Sequence, residues 1–334
     1  AGLFKENATP SHNEVIVYAN SMQRCIATAN YFTTALFPVA DVPVNHRFVP
    51  SKMDPVFFPQ LTKSSKSFRA QAMKEIAAMG GKKGIVGINE GLKESYEITA
   101  KVLDLKDSPA CKEKNLCAFD NYNTQLILDK GDEPRMKGSL KDATTCSDAL
   151  ILQFYEEPDA KKAAFGHDIT LDDWTKISKI KDVYGDVLFT APVVAVNVAH
   201  PLLVYMRDEL MDKDRKLAFL CGHDSNIASV TAALEVEPYD LPNSIEKKTP
   251  IGCKLVIEKF EGKDGKMYCD INLTYQSTEQ LRHIAMLSLD NPPQIFSLSL
   301  KGLQKNADGL YLLKDVEGRF MKAIRAYDKI EDEL

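Results

Sequence analysis

The turn Cys221-Gly222-His223-Asp224 places an imidazole next to a carboxylate. It follows an apolar run at residues 217–220, and Ser225 opens a helical pattern directly after it. A protonated imidazole can hold an anionic oxygen, and an aspartic acid can give or take a proton. The alternative is structural: Asp224 or Ser225 only caps the helix, and His223 only fills space. The apolar strand before the turn favours the chemical interpretation.

A second turn, at residues 18–24, places the guanidinium of Arg24 in the first turn of a predicted helix. Free N–H groups and the positive end of the helix dipole point to the same place, so an anion is the natural ligand there. A surface arginine paired with a neighbouring carboxylate fits the position equally well.

Both turns join a strand pattern to a helix pattern, and open α/β sheets bind ligands beyond the carboxyl ends of their strands. Strand and helix patterns alternate at residues 14–38 and 186–300, whereas the intervening part is mostly helical. We therefore predict an α/β domain of residues 1–45 and 186–334, interrupted by a helical cap domain of residues 46–185.

Periodicity predicts the individual elements. Ser21 is expected to cap a helix that starts near Met22. The other predicted helices cover residues 65–79, 89–105, 144–157, 171–184, 191–210 and 225–234. The predicted strands cover residues 14–19, 125–128, 216–221, 254–260, 267–276 and 295–300, the last of which is expected to be the final strand.

Composition excludes several functional classes. The 334 residues include 42 Lys and Arg and 47 Asp and Glu, a net charge of −5, which offers nucleic acid and anionic membranes no bulk attraction. No apolar run approaches the roughly 20 residues of a membrane helix. Phosphate-loop, dinucleotide and G-x-S-x-G patterns are absent, and the histidines lack metal spacing, so we predict no metal and no cofactor. Arg282-His283 is interpreted as structural.

Seven cysteines are present, without a C-x-x-C pair. Cys111 and Cys117 flank a short polar loop, and theirs is the one spacing that suggests a local disulfide; two surface thiols are the alternative. A disulfide would indicate an oxidising compartment. Cys221, at the end of an apolar strand, is expected to be a core thiol.

Residues 222–228, Gly-His-Asp-Ser-Asn-Ile-Ala, resemble the C-terminal His-Asp signature of the histidine acid phosphatases. Residues 17–24 resemble a phosphate-binding arginine segment of that family. Further segments are similar to the periplasmic bacterial glucose-1-phosphatases, which are close to the bacterial phytases; they lie at residues 53–55, 107–114, 249–252 and 275–277. The resemblance extends over nearly the whole chain.

This resemblance implies a doubly wound sheet with a helical cap and a phosphohistidine mechanism. Arg24 and His223 are implied to bind phosphate, Asp224 to protonate the leaving group, and Glu156 to line the substrate pocket. The implied activity is hydrolysis of a small phosphate monoester at acidic pH, with glucose 1-phosphate first and inositol phosphates second. The implied location is the periplasm.

The family's nucleophile segment, Arg-His-Gly, is missing from these residues. In the family that segment is the central strand and lies upstream of the position matched by Ala1. We therefore expect the nucleophile to lie outside residues 1–334, and the 334 residues alone to be inactive. The alternative is a catalytically inactive protein that binds phosphate or sugar phosphate.

Overall fold

The computed structural model describes residues 3–48, 53–122 and 124–333. The chain starts with strand β1 (Val15–Ala19), helix α1 (Gln23–Leu36) and the short strand β2 (Val44–Asn45), which pairs parallel with β1. The apolar run at residues 14–19 predicted strand β1 correctly. Helix α1 begins one residue later than expected, so Met22 and not Ser21 is its N-cap residue, and no side-chain hydrogen bond caps it.

A mostly helical region follows, as predicted. Its elements are α2 (Lys66–Met79), α3 (Ile85–Glu90), α4 (Lys93–Val102), α5 (Pro109–Lys114), β3 (Gln125–Ile127), β4 (Arg135–Lys137), α6 (Ser139–Glu156), α7 (Ala160–Ala163) and α8 (Leu171–Phe189). The fully buried Trp174 of α8 stacks on Phe154 of α6 with ring centroids 4.3 Å apart. Such stacking contributes beyond area burial and joins the two longest helices of this region.

The remaining elements return to the α/β pattern. They are α9 (Pro192–Met211), β5 (Leu217–Cys221), α10 (Asp224–Ala233), β6 (Lys254–Glu261), β7 (Met267–Tyr275), α11 (Thr278–Arg282), β8 (Gln294–Ser297), β9 (Tyr311–Leu312) and α12 (Leu313–Asp328). Strand β5 pairs parallel with β1, whereas β6, β7 and β8 form an antiparallel sheet that β9 joins at β7. The expectation of a last strand at 295–300 was wrong, because β9 and the amphipathic α12 follow it.

Two strands have an open side. Within the described ranges, β5 pairs only with β1, and β6 pairs only with β7. Lys254, the first residue of β6, lies within electrostatic range of Cys221, the last residue of β5. The end of β5 and the start of β6 therefore lie on the same side of the molecule, where the predicted site is.

The predicted α/β architecture with a helical insertion is confirmed, and Cys111 and Cys117 form the predicted disulfide. In the described part of the chain no single helix is long and apolar enough to cross a membrane. Helices α8 and α9, which meet at a bend of 84°, reach that length and composition only as a pair. The division into domains at residues 45 and 186 stays a prediction.

Candidate active site

The register of the parallel pair β1–β5 brings the two predicted turns together. Ala19 pairs with Cys221 at the carboxyl ends of the strands, and the backbone N–H of Asn20 donates to the Cys221 carbonyl at 2.9 Å. Arg24 Nη2 consequently lies 3.1 Å from His223 Nδ1, although 199 residues separate them in sequence. The structure thus joins two side chains that the sequence singled out independently.

Buried amides hold His223 in place. Asn20 is fully buried, and its Nδ2 lies 2.7 Å from His223 Nε2. On the other side, Asn226 Oδ1 accepts the His223 backbone N–H at 2.9 Å, while Asn226 Nδ2 donates to the Phe57 carbonyl. The imidazole is therefore fixed by the ends of both strands and by the segment around Phe57.

The ring nitrogens of His223 both face N–H donors. The Arg24 guanidinium and the Asn20 amide nitrogen can only donate, and a neutral imidazole accepts at one nitrogen only. The ring therefore cannot satisfy both neighbours. An oxyanion between Arg24 and His223 removes the conflict, because the guanidinium and the Nδ1–H of His223 then both donate to it, while Nε2 accepts from the Asn20 amide.

Gly222 leaves the space that this packing needs. A Cβ added at this position would lie 2.5 Å from Asn226 Oδ1 and 2.8 Å from Phe57 Cδ1. A larger residue would push away the amide that holds the His223 backbone. Close approach of neighbouring groups therefore explains the glycine before the histidine.

Asp224 is the first residue of α10, and its side chain is 51% exposed. Its Oδ1 accepts the Ser225 N–H at 2.9 Å, and its Oδ2 lies 3.6 Å from the ammonium of Lys181 on α8. The structural alternative from the sequence, in which Asp224 or Ser225 is only the helix N-cap, does not match this position, because His223 is the N-cap residue of α10. The carboxyl is half-exposed and belongs to the residue that follows His223, so proton transfer to an ester bound there is open to it.

Lys181 connects the helical region to the site. It lies 2.9 Å from Glu246, which is fully buried and also accepts from the Tyr155 hydroxyl at 3.2 Å. Burial opposes the charge on Lys181, but Glu246 and Asp224 raise its pKa above the usual value. Lys181 is therefore a cation that orients the Asp224 carboxylate from the cap side.

Four residues of this site were missed by sequence reasoning: Asn20, Glu133, Lys181 and Glu246. Burial raises the pKa of Glu133, the negative charge of Asp224 raises it further, and His223 lowers it, which places Glu133 in the electrostatic environment of the site. No local motif marks these residues, because each comes from a different element or loop.

Glu156, the predicted pocket residue, is the last residue of α6, and its side chain is exposed. The adjacent Tyr155 reaches Asp224 through Glu246 and Lys181. The end of α6 thus belongs to the surroundings of the site, and the role of Glu156 in substrate binding stays a prediction.

Asp182, next to Lys181, gives a pH-dependent prediction. Burial raises the pKa of Asp182 from 3.8 to about 7, against a hydrogen bond from the Lys247 N–H that lowers it. The unfolded state therefore loses this proton first as pH rises, and the native state loses stability between about pH 4 and 7. We expect Asp182→Asn, which keeps the acceptor for Lys247, to raise the free energy of unfolding by about 1–3 kcal/mol at pH 8 and by little at pH 4.

Urea unfolding at both pH values measures this difference. Asp172→Asn on the same helix is the control, because that carboxylate is 74% exposed and paired with Lys176. An equal change in the Asp182 variant at pH 4 and pH 8 would show that the carboxyl is not titrating in this range.

A second concave surface lies away from the side chains of the predicted site. It is a groove of about 960 Å³ bordered by α2, α3, α8, α9, α10 and α12, and none of Arg24, His223 and Asp224 lines it. Across the described ranges, no cluster of three or more His, Cys, Asp or Glu side chains could hold a metal ion. Arg24 and His223, at the carboxyl ends of β1 and β5, are the groups that this site offers to an anion.

Fold and site together define an α/β protein with a helical insertion and an anion site at the carboxyl ends of parallel strands. The chain belongs to the histidine phosphatase superfamily (branch 2), whose family profile matches residues 1–287. The prediction of a phosphatase of this family is confirmed at that level.

Two curated relatives are similar over most of their length. The chain is 38% identical to the glucose-1-phosphatase of Providencia rettgeri over 96% of this chain and 77% of that protein. It is also 38% identical to the glucose-1-phosphatase of Salmonella typhimurium, over 92% of this chain and 74% of the relative. Among solved structures, the apo phytase of Hafnia alvei matches with a TM-score of 0.86 and 26% identity, covering 98% of this chain and 82% of the other.

Proposed function

We propose that the protein is an acid phosphomonoesterase that acts on sugar phosphates, with glucose 1-phosphate as the first substrate and inositol phosphates as the second. The observation that carries the proposal is the convergence of Arg24, His223 and Asp224 at one sheet edge. The similarity to two glucose-1-phosphatases supports the substrate class. A catalytically inactive binding protein, the alternative from the sequence, finds no support in these relatives.

Each proposed role follows from charge and position. Arg24 and the Nδ1–H of His223 donate to the oxygens of the phosphoryl group, whose charge is spread over them in the transition state. Asp224 gives its proton to the ester oxygen, which then leaves as an alcohol instead of an alkoxide. Lys181 orients the Asp224 carboxyl from the cap side.

The nucleophile in this proposal is a histidine outside residues 1–334. Five other histidines are engaged or placed elsewhere: His12 in the loop that Arg215 contacts, His46 after β2, His167 on Asp104, His200 on Tyr327 and His283 on Glu279. Of these, His46 directly follows β2. Strand β1 lies between β2 and β5, so β2 and β5 are about 10 Å apart. The open edges of β5 and β6 are consistent with a strand that carries the missing group.

Hydrolysis of glucose 1-phosphate by the full protein at acidic pH tests this function. We expect turnover together with an acid-labile, base-stable phosphoenzyme when the reaction is quenched rapidly on labelled substrate. Turnover without a trapped phosphoenzyme would exclude the phosphohistidine intermediate but retain the phosphatase activity. No turnover of any phosphate monoester would overturn the proposal.

Arg24→Ala tests the anion site directly. Loss of a charge-assisted contact is expected to weaken binding of inorganic phosphate by about 10- to 150-fold, or about 1.5–3 kcal/mol. Calorimetric titration with phosphate measures the change. Arg325→Ala is the control, since that exposed arginine lies on α12 and away from the two turns. Equal affinities in wild type and the Arg24 variant would place the anion elsewhere.

We also propose a periplasmic location. The Cys111–Cys117 disulfide supports it, because such bonds persist in oxidising compartments. A reporter that is active only outside the cytoplasm, fused to the full protein, tests this location.

A further inference from the structure

Two free cysteines lie directly behind the anion site, one on each of the elements that form it. Cys25 is in the first turn of α1, one residue after Arg24, and is only 3% exposed. Cys221 ends β5, two residues before His223, and is half-buried. We propose that Cys25 and Cys221 are a redox modification site, at which a peroxide converts the two thiols into a reversible disulfide.

The packing brings the two sulfurs together. Cys25 belongs to the apolar cluster between α1 and the sheet, and Cys221 packs against that cluster. Cys25 Sγ lies 3.7 Å from the carbonyl of Gly222, the residue that follows Cys221, and the two thiols are hydrogen-bonded to each other. A disulfide here would tie the start of α1 to the end of β5, which the β1–β5 register already holds side by side.

The surroundings also activate one of the two thiols. The hydrogen bond from Cys221, the contact with His223 at 3.7 Å and the Arg24 charge lower the pKa of Cys25 to about 5, against the effect of burial. Cys221 keeps the shared proton, and its pKa is raised. Thiolates, not thiols, react with peroxides, so Cys25 is the attacking sulfur at neutral pH.

The remaining free cysteines lack this activation. Burial raises the pKa of Cys146, Cys253 and Cys269, so each of these thiols keeps its proton at neutral pH. Reaction with a small peroxide is therefore expected to be selective for the pair at the site.

The reaction balances with hydrogen peroxide as the oxidant. The Cys25 thiolate attacks one peroxide oxygen, the O–O bond breaks, and hydroxide leaves to become water, which gives a sulfenic acid on Cys25. The Cys221 sulfur then attacks the Cys25 sulfur, the S–O bond breaks, and a second water leaves with the Cys221 proton. Two thiols lose two electrons, and the peroxide gains them.

Thiol counting on the full protein tests the proposal without any assay of phosphatase activity, so it stands apart from the proposed function. Besides the Cys111–Cys117 disulfide, five cysteines are free. After treatment of the folded protein with stoichiometric hydrogen peroxide at pH 7, we expect the loss of two alkylatable thiols relative to the untreated protein and a Cys25–Cys221 linked peptide by mass spectrometry. Dithiothreitol should remove the linked peptide and restore the thiols of Cys25 and Cys221.

Two variants serve as matched comparisons. Cys253→Ser should still lose two thiols and form the same linked peptide, because it leaves the pair intact. Cys25→Ser and, as an independent variant, Cys221→Ala should keep their thiols under the same treatment. Oxidation first at Cys146, Cys253 or Cys269, a sulfinic acid on Cys25 with Cys221 still reduced, or no thiol loss in wild type would each overturn the proposal.

Discussion

Replacement of Asp224 by asparagine is expected to slow hydrolysis of glucose 1-phosphate by about 10²- to 10⁴-fold, the usual contribution of a general acid. Asparagine keeps an oxygen that can accept the Ser225 N–H, so the start of α10 is retained and the change removes chiefly the transferable proton. The sugar hydroxyl is a poor leaving group and needs that proton in the transition state.

An activated aryl phosphate needs much less protonation, because its leaving group is already stable as an anion. Asp224→Asn should therefore lose far less activity on p-nitrophenyl phosphate than on glucose 1-phosphate. The exposed Asp240, which pairs with Lys248, offers a control in Asp240→Asn. Equal losses on both substrates would show that Asp224 is not the acid.

The pH profile provides a second measurement on the same variant. Wild-type activity on glucose 1-phosphate is expected to be highest at acidic pH and to decline at higher pH, because a general acid must carry its proton at the start of the reaction. The variant has no such proton, so its residual activity should lack that decline. If the activity of the Asp224→Asn variant declined over the same pH range as that of the wild type, a group other than Asp224 would cause the decline.

A polypeptide of residues 1–334 alone is expected to show no significant turnover of glucose 1-phosphate. Arg24 and His223 can bind the phosphoryl group and Asp224 can protonate the leaving group, but no further histidine among the described residues is placed to attack phosphorus. Electrostatic stabilisation does not replace a missing covalent partner. The loss of turnover should therefore be complete, which is the largest effect that we predict.

The same polypeptide should also be poorly soluble or partly unfolded. Strands β5 and β6 each present an unpaired edge in the described residues, and such edges promote association. An Arg-His-Gly segment supplied upstream, or as a separate peptide, should restore folding and activity together. The measurements are intact mass, sedimentation and the hydrolysis assay at acidic pH. Robust turnover by a soluble monomer of 37.2 kDa would contradict the prediction and place the nucleophile within these residues.

Local signals in the sequence determined much of the fold. The apolar runs predicted β1 and β5 nearly residue for residue, and helical periodicity predicted α2, α8 and α10. The short spacing of Cys111 and Cys117 was enough to predict their disulfide. These features depend on neighbours within a few residues, so sequence patterns record them. The β9–α12 segment was missed because its short strand is stabilised by pairing with β7, more than 30 residues earlier.

The sequence also identified Arg24, His223 and Asp224 as side chains that could do chemistry, since each follows a strand or opens a helix. Only the tertiary structure decided which groups surround them. Asn20 reaches His223 across 203 residues of sequence, and Lys181 reaches Asp224 from the cap helix. Parallel pairing of β1 with β5 and packing of α8 against α10 create these contacts. They depend on how separate elements pack together, and no local residue pattern encodes that arrangement.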